Sequence, residues 1–86
     1  MSFENGEKPN LGEAFGRAVK LRRVEAGFTQ EELAYRSQLA RSFVSGVERG
    51  SVKATITTVW KLAMGLKCQP SQIWLAAEKI YAVDHS

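Results

Sequence analysis

The sequence has little of what catalysis and metal binding require. It has a single cysteine, Cys68, so neither an intrachain disulfide nor a zinc site built from several cysteines is available. Its single histidine, His85, lies close to the C-terminal end. Glycine-rich phosphate loops and nucleophile elbows are missing from the sequence. We therefore expect no enzyme activity, no cofactor and no bound metal.

Long apolar runs are also missing. The longest one, Ile-Trp-Leu-Ala-Ala at residues 73–77, is far too short to span a membrane. The opening segment, MSFENGEKPN, contains no apolar stretch that could serve as a secretory signal. We therefore expect a cytoplasmic protein that has no membrane partner.

What the sequence does contain is a basic central segment. The whole chain has a net charge of +3, but residues 17–53 carry eight lysines and arginines against only four glutamates. Such a distribution is compatible with a polyanionic partner such as a nucleic acid. A solvated face that keeps the protein soluble is an equally good explanation of the charge alone.

Apolar residues recur at helical spacing along the chain, without the alternation that is typical of strands. Thr29 and Glu32 match a capping box, and Gly27 and Gly50 match helix C-terminal glycines. Pro70 is suited to the first position of a helix. These signals predict five helices, α1 to α5, which cover residues 11–26, 30–37, 41–49, 56–66 and 70–81.

The predicted fold class is all-α, a compact five-helix domain over residues 11–81. Residues 1–10 are polar and contain Gly6 and Pro9, which predicts a flexible N-terminal arm. Residues 82–86 are predicted to form a C-terminal tail. The inward positions expected on α4 are Ile56, Val59, Leu62, Ala63 and Leu66.

Two short helices joined by a tight turn and supported by three others resemble the helix-turn-helix of the Cro/cI-type family, also called XRE or lambda-repressor-like. The matching segments are GFTQEELA at 27–34, SFVSGVERG at 42–50, TVWKLAMGL at 58–66 and PSQIW at 70–74. Within this family, LAYRSQLARSFVSGVERGS at 33–51 is similar to the controller proteins of restriction–modification systems. The resemblance implies a compact lambda-repressor-like DNA-binding domain.

The implied function is sequence-specific transcriptional regulation in a bacterium or phage, by a dimer on double-stranded DNA with a palindromic operator. A controller protein would regulate its own gene and an endonuclease gene, and activation would require contact with RNA polymerase. The alternative is an antitoxin or phage-type repressor that acts through a protein partner as well as DNA.

The resemblance places α3 in the major groove, with its N-terminal residues towards the base edges. Arg41 is the leading base reader because its guanidinium can donate two hydrogen bonds to guanine; a phosphate-bound or solvated arginine is the alternative. Phe43 is expected to touch a thymine methyl group or to pack over the DNA backbone, with partial burial against α2 as the alternative. The predicted base readers are Arg41, Ser42, Phe43, Ser45 and Gly46, and the predicted phosphate contacts are Thr29, Gln30, Arg36, Arg49, Ser51 and Lys53.

Three further positions carry structural predictions. Ala40 stands where the family often has a serine or threonine that caps α3, so we expect that cap to be missing. Gly46 lies inside α3, where glycine costs about 1 kcal/mol relative to alanine; it either permits close approach to a surface or is simply tolerated. The family pairs Glu48 with an arginine of the first helix, here Arg23, which predicts a partly buried ion pair.

The aromatic residues of α4 and α5 predict self-association. A core of this size is not expected to bury both tryptophans together with Tyr81, and aromatic residues are enriched at interfaces. We predict a two-fold homodimer through α4 and α5 that holds its recognition helices about 34 Å apart. The predicted interface residues are Trp60, Ile73, Trp74, Ala77, Ile80 and Tyr81, with core packing as the alternative for Ile73 and Trp74.

Overall fold

The computed structural model describes the backbone of residues 10–85 and the side chains of residues 10–83. The helices are α1 (Leu11–Ala26), α2 (Gln30–Ser37), α3 (Arg41–Arg49), α4 (Ile56–Leu66) and α5 (Pro70–His85). No strand occurs in this part of the chain, and the all-α, five-helix prediction is confirmed. Helix α5 continues beyond its predicted end at Tyr81, so the predicted tail is helical as far as His85. The predicted N-terminal arm lies outside the described residues, except for Asn10.

Side-chain capping explains where the helices begin. In a capping box, the cap side chain accepts a hydrogen bond from a backbone amide three residues later, and that later residue bonds back to the cap. Helix α3 is different, because Ala40 precedes it and offers no side-chain cap, as the sequence predicts. Capping boxes open α1, α2 and α4 at Asn10 with Glu13, Thr29 with Glu32, and Thr55 with Thr58.

The helix ends share one backbone conformation. Gly27 and Gly50 end α1 and α3 in the left-handed region, with φ of 81° and 80°. Gln38 and Lys67 end α2 and α4 in the same region, both with φ of 57°. A side chain is disfavoured there, so the turn between α2 and α3 at Gln38 carries some strain.

Every helix contributes a fully buried side chain to one core. These side chains are Val19 of α1, Leu33 of α2, Val44 of α3, Leu62 of α4 and Ile73 of α5. Short helices are marginal in water by themselves. The two helices of the helix-turn-helix therefore depend on α1, α4 and α5 for their stability.

Two predictions about burial are wrong. Ala77 is predicted at a dimer interface, but it is fully buried within a single chain. Ile73 is fully buried as well, which agrees with core packing and not with a place at the interface. Ile56 was expected to face inward, but it is almost fully exposed. It is the first residue of α4, and helical spacing does not reveal that neighbouring helices fail to cover that end.

Glycines permit two close helix crossings. A Cβ atom added at Gly16 of α1 would lie 2.7 Å from the carbonyl oxygen of Glu48 in α3, and would also collide with the carbonyl oxygen of Val47. A Cβ at Gly65 of α4 would meet the Ser37 hydroxyl oxygen of α2. The first crossing sets the position of α3, because its backbone lies directly on α1.

Candidate nucleic-acid interface

Helix α3 separates its side chains into an apolar buried face and a polar exposed face. Val44 and Val47 are fully buried in the core. Arg41 and Ser42 are exposed at its N-terminal end, and Arg49 is exposed at its C-terminal end. A helix that presents arginine and serine side chains along one open face has the chemistry to contact both bases and phosphates.

Neighbouring side chains shape the rest of this face. Arg49 Nη1 donates a hydrogen bond of 2.6 Å to Ser45 Oγ, which holds the guanidinium over the middle of the exposed face. Phe43 is half-buried and packs against the core. The residue is thus neither fully buried nor fully exposed, and a contact between Phe43 and DNA stays a prediction.

Gly46 does not lie on the exposed face. It is buried beneath the loop that follows α3, and a Cβ added there would be 2.5 Å from Val52 Cγ2. Its assignment as a base reader is wrong. The close approach expected of this glycine does occur, but the surface it approaches is a loop of the same chain.

The predicted phosphate contacts fall into two groups. Thr29 and Gln30 are engaged within the protein: Thr29 Oγ1 accepts the Glu32 amide at 3.0 Å, and Gln30 Nε2 donates to Glu48 Oε1 at 3.0 Å. Arg36 is exposed and lies over the Phe28 ring, 4.1 Å from its centroid. The other members of the set, Arg49, Ser51 and Lys53, are exposed, and the Ser51 hydroxyl also donates to the Gly46 carbonyl at 3.2 Å.

A buried ion pair joins α1 to α3. Arg23 Nε donates to Glu48 Oε2 at 2.6 Å, and Arg23 Nη2 donates to Glu48 Oε1 at 3.0 Å. Arg23 and Glu48 are only 9% and 8% exposed, and Arg23 Nη1 also donates to the Phe28 carbonyl at 2.8 Å. The hydrogen bonds to Glu48 raise the pKa of the Arg23 guanidinium above its ordinary value. The predicted pair is thus present and fixes how α3 is oriented on α1.

The family model described as helix-turn-helix matches residues 19–73 of this sequence. This chain belongs to the helix-turn-helix family. The matched range includes the whole exposed face of α3, and the family consists of regulatory DNA-binding domains. This helix-turn-helix protein is accordingly a DNA-binding transcriptional regulator of the XRE type.

Relatives of this helix-turn-helix protein include repressors and controller proteins. It is 37% identical over 65 residues to the competence pilus inhibition repressor of Acinetobacter baylyi, covering 76% of this chain but only 59% of the repressor. It is 29% identical over 65 residues to control protein C.BamHI of Bacillus amyloliquefaciens, covering 74% of this chain and 80% of that protein. The solved structure of the restriction-modification controller protein C.AhdI from Aeromonas hydrophila aligns with a TM-score of 0.70 and 38% identity, covering 71% of this chain and 92% of that one.

An apolar surface, of which the sequence predicts only a part, lies beside the helix-turn-helix. Ile56, Trp60 and Met64 are 91%, 59% and 63% exposed, and their spacing of four places them along one side of α4. We call these three residues the α4 stripe. Next to it is a groove of about 600 Å³, bordered by the starts of α1, α4 and α5 and by the loop after α3. Of the predicted interface residues, Trp60 and Trp74 line this groove.

The other predicted interface residues lie further along α5. Ile80 is half-buried and packs against the core, and Tyr81 is exposed over about a third of its surface. Within residues 10–83, no three acidic, histidine or cysteine side chains cluster in a way that could hold a metal ion. None of the described helices is long and apolar enough to cross a membrane.

Proposed function

We propose that this regulator is a homodimer that reads a palindromic operator through α3. The observation that carries the proposal is the open polar face of α3, which is held on a rigid support by the buried pair of Arg23 with Glu48. A preorganised helix loses little conformational freedom when it enters the major groove, so more of its contact energy is available for discrimination between sequences.

In this proposal the exposed residues of α3, and two basic residues outside it, contact different parts of the DNA. Arg41 reads a guanine through two hydrogen bonds, worth about 1–3 kcal/mol of discrimination against another base. Ser42 and the exposed edge of Phe43 contact neighbouring bases. Arg49, Lys53 and Arg36 contact phosphates, and so position the protein without contributing sequence preference.

The second copy is proposed to bind at the α4 stripe and the adjoining groove. A cluster of exposed apolar residues around a groove is unusual on a monomer and commonly marks an interaction surface. Trp60 and Trp74 are the anchors, and Leu11 lies at the same groove. The interface therefore uses α4 with the starts of α1 and α5, rather than the buried positions of α5 named from the sequence.

Within the helix-turn-helix family we propose that the protein is a restriction–modification controller protein. This proposal is supported by the similarity to C.BamHI and C.AhdI. The alignments cover most of the length of both of these proteins. It would act in the cytoplasm on its own gene and on an endonuclease gene, with a contact to RNA polymerase where it activates. The second candidate is a repressor unconnected with restriction, which the 37% identity to the Acinetobacter repressor favours. A methyltransferase–endonuclease gene pair beside this gene would support the first candidate.

The first experiment is selection of bound duplexes from a random DNA library at about physiological salt. Wild type is expected to enrich a palindrome, and Arg41→Ala to lose preference at one symmetric pair of positions. Arg41→Lys is the matched control for charge, because it keeps the cation but lacks the planar fork, and it should lose the same preference. Lys53→Ala should weaken binding to all sequences alike. Enrichment of no site, or of a site without symmetry, would refute the proposal.

The dimer is tested by sedimentation at micromolar concentration. Wild type is expected to sediment as a dimer and Trp60→Ala as a monomer, because the substitution removes an anchor of the interface. Tyr35→Ala is the matched control, since Tyr35 is an exposed aromatic residue on α2 outside the groove. A monomeric wild type would exclude the proposed interface.

A further inference from the structure

The loop that follows α3 is fastened to that helix at one point. The Gly46 carbonyl accepts hydrogen bonds from the Ser51 amide at 2.9 Å, the Val52 amide at 3.3 Å and the Ser51 hydroxyl at 3.2 Å. The Val52 side chain covers the α-carbon of Gly46 closely enough that a Cβ there would be 2.5 Å from Val52 Cγ2. Any displacement of this loop therefore acts directly on the C-terminal half of α3.

The same loop also forms a wall of the apolar groove. Val52, Lys53 and Ala54 line the groove together with Trp60 and Trp74. Val52 is half-buried, so it touches α3 and still presents surface to the groove. A molecule bound in the groove would contact Val52, and Val52 in turn contacts α3 at Gly46.

We propose that Val52 is a positioning residue that couples the seating of a second copy to DNA reading by α3. This inference rests on the proposed dimer. A second copy in the groove covers the open side of Val52 and restricts the loop, and the loop in turn holds the end of α3 that carries Arg49. DNA bound to α3 restricts the motion of α3, and through the bonds to Gly46 it also restricts the loop. Because such coupling is reciprocal, DNA must strengthen the dimer by the factor by which the dimer strengthens DNA binding.

The test measures that reciprocal effect with a duplex too short to bridge two subunits. The dimer dissociation constant is determined by sedimentation, without DNA and with a saturating duplex that carries one half-site of the selected sequence. For wild type, the half-site duplex is expected to tighten the dimer about fivefold or more, which is the lower range of known couplings. A single half-site contributes no bridging, so any tightening must pass through the protein.

Substitutions at the contact between Gly46 and Val52 distinguish a positioning role of Val52 from a mere effect on stability. Val52→Ala removes the contact, and the ratio of the two dissociation constants is expected to fall close to one. Gly46→Ala forces the loop away and should have the same effect. The double variant Gly46→Ala/Val52→Ala places two small side chains against each other, since the added Cβ would lie 3.3 Å from the Cβ of residue 52. It should recover part of the coupling, which a loss of stability alone would not do.

The outcomes distinguish the inference from the function on which it rests. A wild-type chain that stays monomeric or selects no site refutes the proposed function and the coupling together. A dimer that reads a site but shows the same dissociation constant with and without the half-site refutes the coupling alone. If Gly46→Ala fails to fold, Val52→Ala decides the matter, because a variant that keeps the full wild-type ratio excludes a role for Val52.

Discussion

Replacement of Arg23 by alanine should destabilise the fold severely, because it strands a buried carboxylate. Glu48 accepts two hydrogen bonds from Arg23 and one from Gln30, so only the Gln30 bond would remain. Glu48 is 8% exposed, and water cannot replace the lost donors without opening the packing of α1 on α3. Removal of one partner from a buried ion pair costs about 3–5 kcal/mol. A domain of this size is stable by about 4–13 kcal/mol in total.

The assay is urea and thermal unfolding of Arg23→Ala followed by circular dichroism. A loss of about 3–5 kcal/mol corresponds to a fall in Tm of about 12–40 °C, because each 1 kcal/mol shifts a domain of this size by about 4–8 °C. Arg22→Ala is the matched control: Arg22 is on the same helix, is more exposed than Arg23 and belongs to no ion pair in the described part of the chain. It should change stability by no more than about 0.5 kcal/mol.

A double variant tests the stated cause of the loss. Arg23→Met/Glu48→Met removes both charges, so no carboxylate is left stranded, and apolar replacement of a buried pair is often neutral or stabilising. The double variant should therefore be more stable than Arg23→Ala. If Arg23→Ala has the same Tm as the Arg22→Ala control, then Glu48 is not effectively buried and the stated cause is wrong.

Three further predictions concern backbone geometry and one buried hydroxyl, each measured by urea unfolding. Gly16→Ala should destabilise by about 1–3 kcal/mol through overpacking against the α3 carbonyl of Glu48, whereas Gly12→Ala, whose nearest contact would be 3.5 Å, should not. Ser37→Ala should leave stability unchanged or raise it by about 1 kcal/mol, because the buried Ser37 Oγ has no hydrogen-bond partner in the structure; a clear loss would mean that this hydroxyl is satisfied. Gln38→Gly should stabilise by up to about 1 kcal/mol through relief of its left-handed φ of 57°, and a destabilised variant would contradict this.

The helices could be located from the sequence because their ends are coded locally. Each capping box lies within four consecutive residues, as at Thr29 with Glu32, and Gly27 and Gly50 mark helix ends without reference to the rest of the chain. The end of α5 lacks such a signal, since neither a glycine nor a proline follows Tyr81. The prediction of that boundary failed for this reason.

The candidate site could be predicted only in part. Ser42 could be placed on the exposed face of α3 from helical spacing, which puts it nearly opposite Val44 and Val47. Arg41 is only three residues before Val44, so its exposure followed from the family resemblance and not from spacing. Gln30 could not be assigned in the same way. Its position at the start of α2 suggests a phosphate contact, but its amide turns towards Glu48, which comes from another helix.

The sequence by itself determined five helices, a basic helix-turn-helix and, through the family resemblance, the pairing of Arg23 with Glu48. These features depend on local capping, on periodicity or on a recurring motif. Only the tertiary structure decided that Gly46 lies beneath Val52, that Ala77 is buried and that Ile56 begins an exposed apolar stripe on α4. The physical reason is that periodicity defines the faces of a helix, whereas burial depends on which faces the other helices cover. That coverage is settled when the whole chain packs.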